Sequence, residues 1–203
     1  MEQTNFWNDK FSKVDYLYGL DPNEFIASNI YLMKDKKRVL CLGEGEGRNA
    51  IFLAKEGFEV TAIDASDVGL DKLKYRASQD FLDIHCINMD LNNWEMILNE
   101  DEKYDVIVAS YLHMFEQDRN SLFNKIEQNL KSGGYFIAEF FSKEQLNYNS
   151  GGPKALDLLY DLNDFDEVFT TFEKKITKQI VHLNEGVGHQ GEASVIRVIV
   201  KKN

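Results

Sequence analysis

The sequence has little of several residue types, and each shortage excludes a class of structure. It contains two cysteines and two prolines in 203 residues. Without a Cys-x-x-Cys pair it indicates neither a structural zinc site nor a redox site, and so few prolines argue against linkers and disordered tracts. No apolar run is long enough to cross a bilayer, and the N-terminus shows no basic stretch followed by an apolar one. We therefore expect a cytoplasmic protein with no membrane partner.

Positive charge is also short. Lysine and arginine number 23 against 34 aspartates and glutamates, which gives a formal net charge of −11. Nucleic-acid binders usually concentrate Lys and Arg on one face, so this balance argues against a nucleic-acid partner. The length suits one domain over residues 1–203, long enough to bury a sizeable core. We expect a monomer or a weak dimer that acts on a small molecule.

The most informative stretch is residues 38–49, which read R-V-L-C-L-G-E-G-E-G-R-N. The apolar run 39–42 predicts a strand, the three alternating glycines predict a tight turn, and a helix is predicted to begin near Arg48. Glycine allows positive φ angles and close approach of a ligand, while a helix start offers unpaired N–H groups. The turn therefore predicts a small-molecule site. A dinucleotide fingerprint would need glycine at position 48, so Arg48 favours a different nucleoside cofactor.

Strand and helix patterns alternate after this turn. Strands are predicted at 58–63, 84–87, 104–109 and 135–141, with helices between them and a turn at 131–134. Such alternation implies a parallel sheet with helices on both faces. Two further strands, 174–183 and 193–201, are joined by so short a link that they must pair antiparallel. The predicted fold is an α/β, Rossmann-like three-layer sandwich whose seven-stranded, mostly parallel sheet ends in an antiparallel C-terminal hairpin.

Two segments lie outside the alternation. Residues 1–36 hold two predicted lead-in helices, 5–11 and 23–33, with Asp21 as cap and Pro22 as first residue of the second. Their aromatic residues indicate packing, with a lid over the pocket as the alternative. Residues 142–154 are polar and glycine-rich and follow the fifth strand, at the edge where open α/β sheets bind ligands. We predict a lid or substrate loop there, with a plain surface connection as the alternative, and then a helix at 155–162.

Several motifs together resemble those of the class I S-adenosylmethionine (SAM) dependent methyltransferases. Residues 39–50 are similar to the family's first motif, 60–64 to its acidic second-strand end, Asp90-Leu91 to its third-strand contact, 104–110 to its fourth strand and 130–134 to the turn before its fifth. The Gly-Glu-Gly-Arg-Asn-Ala stretch and the aromatic lead-in most resemble the tellurite-resistance and thiopurine methyltransferase group. This resemblance implies SAM as cofactor and a small-molecule acceptor such as a thiol or a chalcogen oxyanion.

The resemblance also implies a set of cofactor contacts. The glycines would lie close to the methionine part of SAM, Asp64 would accept hydrogen bonds from both ribose hydroxyls, and Asp90 would accept one from the adenine amino group. Alternatively, Asp64 is an acid at a helix N-terminus and Asp90 an exposed loop acid. Where the family usually has an acid this chain has Cys41, so Glu44 becomes the candidate for the cofactor's amino group. The implied set, without a metal, is Gly43, Glu44, Gly45, Gly47, Asn49, Asp64, Ala65, Ser66, Asp90, Leu91 and Ser110.

Catalytic candidates come from the chemistry of methyl transfer. A sulfonium already activates the methyl group, so positioning supplies much of the catalysis. A thiolate or other anionic acceptor needs no general base, whereas a hydroxyl or a protonated amine does. Titratable residues late in the chain are therefore of interest: His113, Glu139, His189 and Arg197. The alternatives are a helix-start histidine for His113 and a satisfied buried acid for Glu139.

Other functions remain open on the sequence alone. A nicotinamide oxidoreductase is disfavoured by Arg48 and by the terminal hairpin. A non-catalytic SAM-binding module would keep the glycine turn without an acceptor pocket, and nothing in the sequence excludes it. DNA modification is not expected, because the Asn/Asp-Pro-Pro-Tyr signature is absent and neither cysteine follows a proline.

Overall fold

The fold is built on a seven-stranded sheet in the order β3-β2-β1-β4-β5-β7-β6. The computed structural model describes residues 2–203, with side chains from Thr4 onward. Strands β1 to β5 are parallel, and β7 runs antiparallel to β5 and β6. The predicted sheet is therefore confirmed. The strands are β1 (Arg38–Leu42), β2 (Glu59–Asp64), β3 (Ile84–Asn88), β4 (Tyr104–Ser110), β5 (Leu130–Phe141), β6 (Glu173–Glu185) and β7 (His189–Lys201).

Helices cover both faces of the sheet. Within the described residues they are α1 (Glu2–Ser12), α2 (Glu24–Ser28), α3 (Arg48–Lys55), α4 (Asp67–Gln79) and α5 (Glu116–Asn129). Helices α2, α3 and α4 pack on one face of the sheet with Val39 and Cys41. Helix α5 and the aromatic residues of segment 160–169 pack on the other face with Leu40 and Leu42. Successive residues of β1 thus enter opposite halves of the core, as strand geometry requires. No helix in the described part of the chain combines the length and apolarity needed to span a membrane.

Local residues begin α4 and end α3. The Ser66 side chain accepts a hydrogen bond from the Gly69 N–H and begins α4. Gly57 follows α3 with φ at +92°, a left-handed conformation that ends helices and suits glycine. The two cysteines lie on β1 and β3 with β2 between them, and both are free.

The second lead-in helix is shorter than predicted. Its cap is Asn23, whose side chain accepts from the Ile26 N–H, so the assignment of Asp21 as cap and Pro22 as first residue is wrong by two positions. Helix α2 ends at Ser28, and a 3-10 turn follows at Ile30–Met33. Asn29 separates the two, because its side chain donates to the Phe25 carbonyl and competes with the helix hydrogen bonds.

Two other local predictions are also wrong. The predicted helix at 155–162 is replaced by 3-10 turns at Leu156–Leu158 and Leu162–Phe165. The predicted turn at 131–134 lies inside β5, where the pairing with β4 shifts register and Gly133 has φ at +71°. The extra residues of β5 at this register shift form an irregularity of the β-bulge type. The same glycine-rich residues are also typical of a turn, so the sequence alone does not distinguish the two.

Arg119 on α5 holds the segment that contains these two 3-10 turns, residues 156–165, in place. Its side chain is buried, and Nη1 donates to Asp164 Oδ2 at 2.6 Å. Nη2 donates to the carbonyls of Asp157 and Leu159, at 2.7 and 2.8 Å, and the guanidinium lies 4.1 Å from the centre of the Tyr160 ring. These contacts satisfy carbonyl groups that a helix would have paired internally, and therefore allow the segment to stay non-helical.

Replacing Arg119 should test this role. Arg119→Met should lower the free energy of unfolding by about 3 kcal/mol, because it leaves the Asp164 carboxylate, which is only 12% exposed, without its cationic partner. Urea denaturation measures the change. Lys74→Met is the control, since it removes an exposed ion pair with Asp71 and should cost less than about 1 kcal/mol. Equal losses in the two variants would contradict the assignment.

Candidate functional site

A cavity opens at the C-terminal ends of β1, β2 and β4, beside the glycine turn. It encloses about 920 Å³, including the open space at its mouth. Most residues of the site predicted from sequence meet on its wall, although they come from five separate segments of the chain. Those on the wall are Gly43, Glu44, Gly45, Gly47, Asp64, Ala65, Asp90, Leu91, Ser110, His113 and His189, whereas Asn49, Ser66, Glu139 and Arg197 are not among its lining residues.

The conformation of the turn strongly favours glycine at three positions. The φ angles of Gly43, Gly45 and Gly47 are +59°, +57° and +89°, in the region that other residues rarely adopt. Packing adds a second constraint. A Cβ on Gly47 would lie 2.3 Å from a methyl carbon of Leu73, and one on Gly45 would lie 2.9 Å from the Phe11 ring. The turn is thus fixed by its own conformation and by α1 and α4 around it.

Asp64, at the end of β2, fastens this turn to the sheet. Its Oδ2 accepts from the Gly45 N–H at 2.8 Å, and its Oδ1 accepts from the Ser66 N–H at 2.7 Å. Burial raises the pKa of the carboxyl to about 6 from its ordinary 3.8. Each carboxylate oxygen has a further lone pair, so Asp64 can hold the turn and still accept hydrogen bonds from a ligand in the cavity.

Glu44 occupies the matching position at the start of α3. Its Oε1 accepts from the N–H groups of Asn49 and Ala50, at 2.9 and 2.8 Å, which caps two of the unpaired donors of the helix. Burial raises the pKa of this carboxyl to about 7. Burial also raises the pKa of the neighbouring Cys41 thiol above its ordinary value. Glu44 therefore borders the cavity while its carboxylate serves the helix, and its contact with a cofactor amino group stays a prediction.

Two predicted residues support the site from behind. Asn49 donates from Nδ2 to Ser110 Oγ at 2.9 Å, and its Oδ1 accepts from the Asn23 N–H. It therefore links α3 to the end of β4 and to the lead-in segment. Ser66 acts as the cap of α4 described above. Both residues shape the wall without lining it.

The lead-in segment forms the outer wall. Trp7 and Phe11 of α1, together with Tyr18 and Gly19, line the cavity, so the aromatic residues do more than pack. Lys72 Nζ ties this wall to the glycine turn, because it donates to the carbonyls of Phe11 and Val14 and to Glu46 Oε1. Aromatic residues directly ahead of the turn were the sequence signal for this wall.

The tip of the C-terminal hairpin closes against that wall. The Gly188 N–H donates to the Leu17 carbonyl at 2.9 Å. Gly19 and Gly186 pack backbone to backbone, since a Cβ on Gly186 would lie 2.3 Å from the Gly19 nitrogen. The turn between β6 and β7 therefore touches the lead-in loop and places His189 at the cavity.

Two histidines face the cavity from different elements. His113 follows β4, and its ring centre lies 5.2 Å from that of Trp7. Burial lowers its pKa to about 3, so this imidazole is neutral at ordinary pH. His189 Nδ1 lies 3.1 Å from Glu185 Oε2, and burial lowers the pKa of His189 as well. A neutral His189 that donates from Nδ1 to Glu185 keeps Nε2 free to accept a proton or a hydrogen bond.

Glu139 and Arg197 lie on β5 and β7 and support the floor next to His189. Arg197 Nε donates to Glu139 Oε2 at 2.6 Å. Glu139 Oε1 accepts from the Tyr111 hydroxyl at 2.6 Å and from Asn23 Nδ2 at 2.8 Å. Tyr111 lines the cavity and has φ at +50°, which is unusual for a large residue. The ion pair of Glu139 and Arg197 therefore positions Tyr111, and a catalytic role for either member of the pair stays a prediction.

Arg48 is the main residue that sequence reasoning missed, because there it counted only as a missing glycine. Its side chain lines the cavity and is 8% exposed. Nη2 donates to Glu185 Oε2 at 3.0 Å, and the guanidinium lies 5.9 Å from the Tyr111 ring centre. Other lining residues that the sequence analysis did not assign to the site are Trp7, Phe11, Tyr18, Gly19, Glu46, Met89, Tyr111, Leu112 and Met114.

The segment 142–154 lies next to the site and does not line the cavity. Gln145 is buried, where its Nε2 donates to Ser150 Oγ and its Oε1 accepts from the Ser194 N–H. A Cβ on Gly151 would lie 2.5 Å from His189 Cδ2, so this segment backs the His189 ring. Its role in covering an acceptor stays a prediction.

Sequence comparison identifies the central part of the chain. Residues 39–134 match the family described as a methyltransferase domain. The chain is 30% identical over 103 residues to the uncharacterized methyltransferase YbaJ of Bacillus subtilis, covering 51% of this chain and 40% of YbaJ. It is also 30% identical over 100 residues to a probable SAM-dependent methyltransferase, TehB of Haemophilus influenzae, covering 48% of this chain and 34% of TehB. The chain thus spans well under two thirds of these relatives.

Structural comparison extends the match over the whole fold. The crystal structure of TehB from Haemophilus influenzae aligns with a TM-score of 0.72 at 17% identity, covering 99% of this chain and 67% of that one. Magnesium protoporphyrin IX methyltransferase from Synechocystis, solved with bound S-adenosylhomocysteine, aligns with a TM-score of 0.69 at 13% identity, covering 100% and 98%. Together with the glycine turn, the domain match over residues 39–134 and the shared fold support a class I SAM-dependent methyltransferase that resembles TehB.

Proposed function

We propose that this protein binds SAM in the cavity beside the glycine turn and transfers its methyl group to a small-molecule acceptor. One observation carries the proposal. The Asp64 carboxylate and the glycine turn meet on the wall of a cavity at the C-terminal edge of parallel strands, which is where open α/β sheets bind nucleotides. The solved relative that holds S-adenosylhomocysteine has the same fold.

The cofactor fits the chemistry of the wall. The positive-φ turn leaves backbone atoms bare for the methionine part, Asp64 offers acceptors for the ribose hydroxyls, and Asp90 and Leu91 follow β3 on the adenine side. Bound SAM would supply a sulfonium whose methyl group is already activated. The part left to the protein is then to align an acceptor with the carbon–sulfur bond and to exclude water.

For the acceptor we propose a thiol or a chalcogen oxyanion. With SAM bound, the lone pair of such an acceptor would bond to the methyl carbon as the carbon–sulfur bond breaks, which would leave S-adenosylhomocysteine. A thiolate or an oxyanion reacts without a general base. This suits His113, whose pKa of about 3 makes it a weak base. His189, held by Glu185, is the group that would take a proton from an acceptor that arrives protonated.

Ligand binding tests the proposal directly. SAM and S-adenosylhomocysteine should each raise the melting temperature of the protein, because a ligand present at about 100 times its Kd stabilises the folded state by about 2.7 kcal/mol. NADH at the same concentration should have no effect. A shift with NADH alone would favour an oxidoreductase. A shift with SAM but no turnover across thiols and chalcogen oxyanions would favour a binding module.

The affinity for S-adenosylhomocysteine should depend on pH through Asp64. In the free protein the pKa of Asp64 is about 6, and ribose hydroxyls donate to the ionised form, so binding below that pH must release a proton. We expect affinity to rise about tenfold between pH 5 and pH 7 and then to level off. Asp64→Asn should bind more weakly and lose most of this dependence in calorimetry. An identical pH profile in the variant would remove Asp64 from the ribose site.

Gly45 and Gly57 form a matched pair of glycine variants. Gly45→Ala should weaken S-adenosylhomocysteine binding at least tenfold, because the new Cβ is strained at φ +57° and meets Phe11. Gly57→Ala is strained at φ +92° with nothing within 4 Å of the Cβ, so it should cost about 1 kcal/mol of stability and keep full affinity. Titration calorimetry with a parallel urea melt measures both quantities. Normal binding by a folded Gly45→Ala protein would place the ligand elsewhere.

A further inference from the structure

One buried polar group on the cavity wall has no partner. Arg48 is 8% exposed, and its Nη1 makes no hydrogen bond to any of the described residues. Buried polar groups are nearly always paired, because an unpaired one costs the full loss of its hydration. A guanidinium N–H that stays unpaired beside an open cavity therefore indicates a ligand group that accepts a hydrogen bond there.

The orientation of Arg48 is already fixed. Nη2 is held by Glu185 at 3.0 Å, and the guanidinium plane lies over Tyr111. Glu185 is itself shared, since its other contacts are His189 Nδ1 at 3.1 Å and Asn23 Nδ2 at 3.2 Å. The Glu185 carboxylate therefore accepts from three donors, and Nη1 of Arg48 is not one of them. The Arg48 guanidinium is thus held in one orientation, with the N–H groups of Nη1 available to a ligand.

We propose that Arg48 binds an oxyanion group, a carboxylate or one of similar size, of a ligand in this cavity. The inference rests on the proposed methyltransferase function and identifies the charge of what binds. A planar guanidinium is suited to such groups, because its N–H bonds match the spacing of two oxygens and its charge strengthens each hydrogen bond. Two sources have this chemistry: the carboxylate of the cofactor's methionine part, and an anionic methyl acceptor.

A matched control arginine is present on α4. Nη1 of Arg76 is likewise buried without a partner among the described residues, and Arg76 also lies over an aromatic ring, that of Tyr16 at 5.2 Å. Arg76 is not on the cavity wall. Replacing it removes the same kind of side chain while leaving the proposed anion site intact.

The test uses two ligands that differ in a single carboxylate. Wild type, Arg48→Met and Arg76→Met are titrated with SAM and with decarboxylated SAM, which keeps the sulfonium and the amino group. The double variant Arg48→Met/Glu185→Gln is included, because it leaves no unpaired carboxylate if the single variant folds poorly. Each protein saturated with S-adenosylhomocysteine is then titrated with sulfite as the oxyanion probe.

The outcomes separate the sources. A loss of at least tenfold in SAM affinity in Arg48→Met, with decarboxylated SAM and Arg76→Met unaffected, assigns the site to the cofactor carboxylate. Unchanged SAM affinity with loss of sulfite binding assigns it to an anionic acceptor. Wild-type affinities in all titrations, or equal losses for both SAM forms, overturn the proposal. Failure of the wild type to bind either SAM form would instead contradict the proposed function.

Discussion

The structure depends on a backbone turn held between two buried carboxylates. Asp64 accepts from the N–H of Gly45, and Glu44 accepts from the first N–H groups of α3. Both acids lie where helix N-termini concentrate positive partial charge, which offsets part of the cost of burying them. Their pKa values of about 6 and about 7 show that the offset is incomplete. The turn is thereby kept in a left-handed conformation that favours glycine, and it borders the cavity.

A second polar network supports the part of the cavity wall that contains Tyr111, Arg48 and His189. Glu139 accepts hydrogen bonds from Tyr111, Asn23 and Arg197. These three residues belong to the end of β4, the lead-in segment and β7. Glu185 forms hydrogen bonds with Arg48 and His189. Five of these seven residues are buried and the other two, Glu185 and Arg197, are partly buried, so replacing one member of the network leaves others unsatisfied. This interdependence gives the aromatic and histidine rings of the wall fixed positions.

The sequence predicted the parts of the fold that periodicity and local chemistry encode. The seven-stranded sheet follows from alternation, and about half of the residues that line the cavity are among the predicted site residues. It could not predict that Asn23 begins α2, because that cap is selected by contacts with the distant Glu139. It missed the role of Arg48 for a related reason. The partners of Arg48, Glu185 and Tyr111, are far along the chain, and only the folded sheet brings them together.

The contact between the hairpin tip and the lead-in loop joins the two ends of the chain. The Gly188 N–H donates to the Leu17 carbonyl, and both Tyr18 and His189 line the cavity. The first five strands can pair as they leave the ribosome, whereas this contact waits for β7. Such pairing between remote segments forms late in folding because a long loop must close first. A chain synthesised only as far as β5 therefore carries the glycine turn but lacks the part of the cavity wall that His189 supplies.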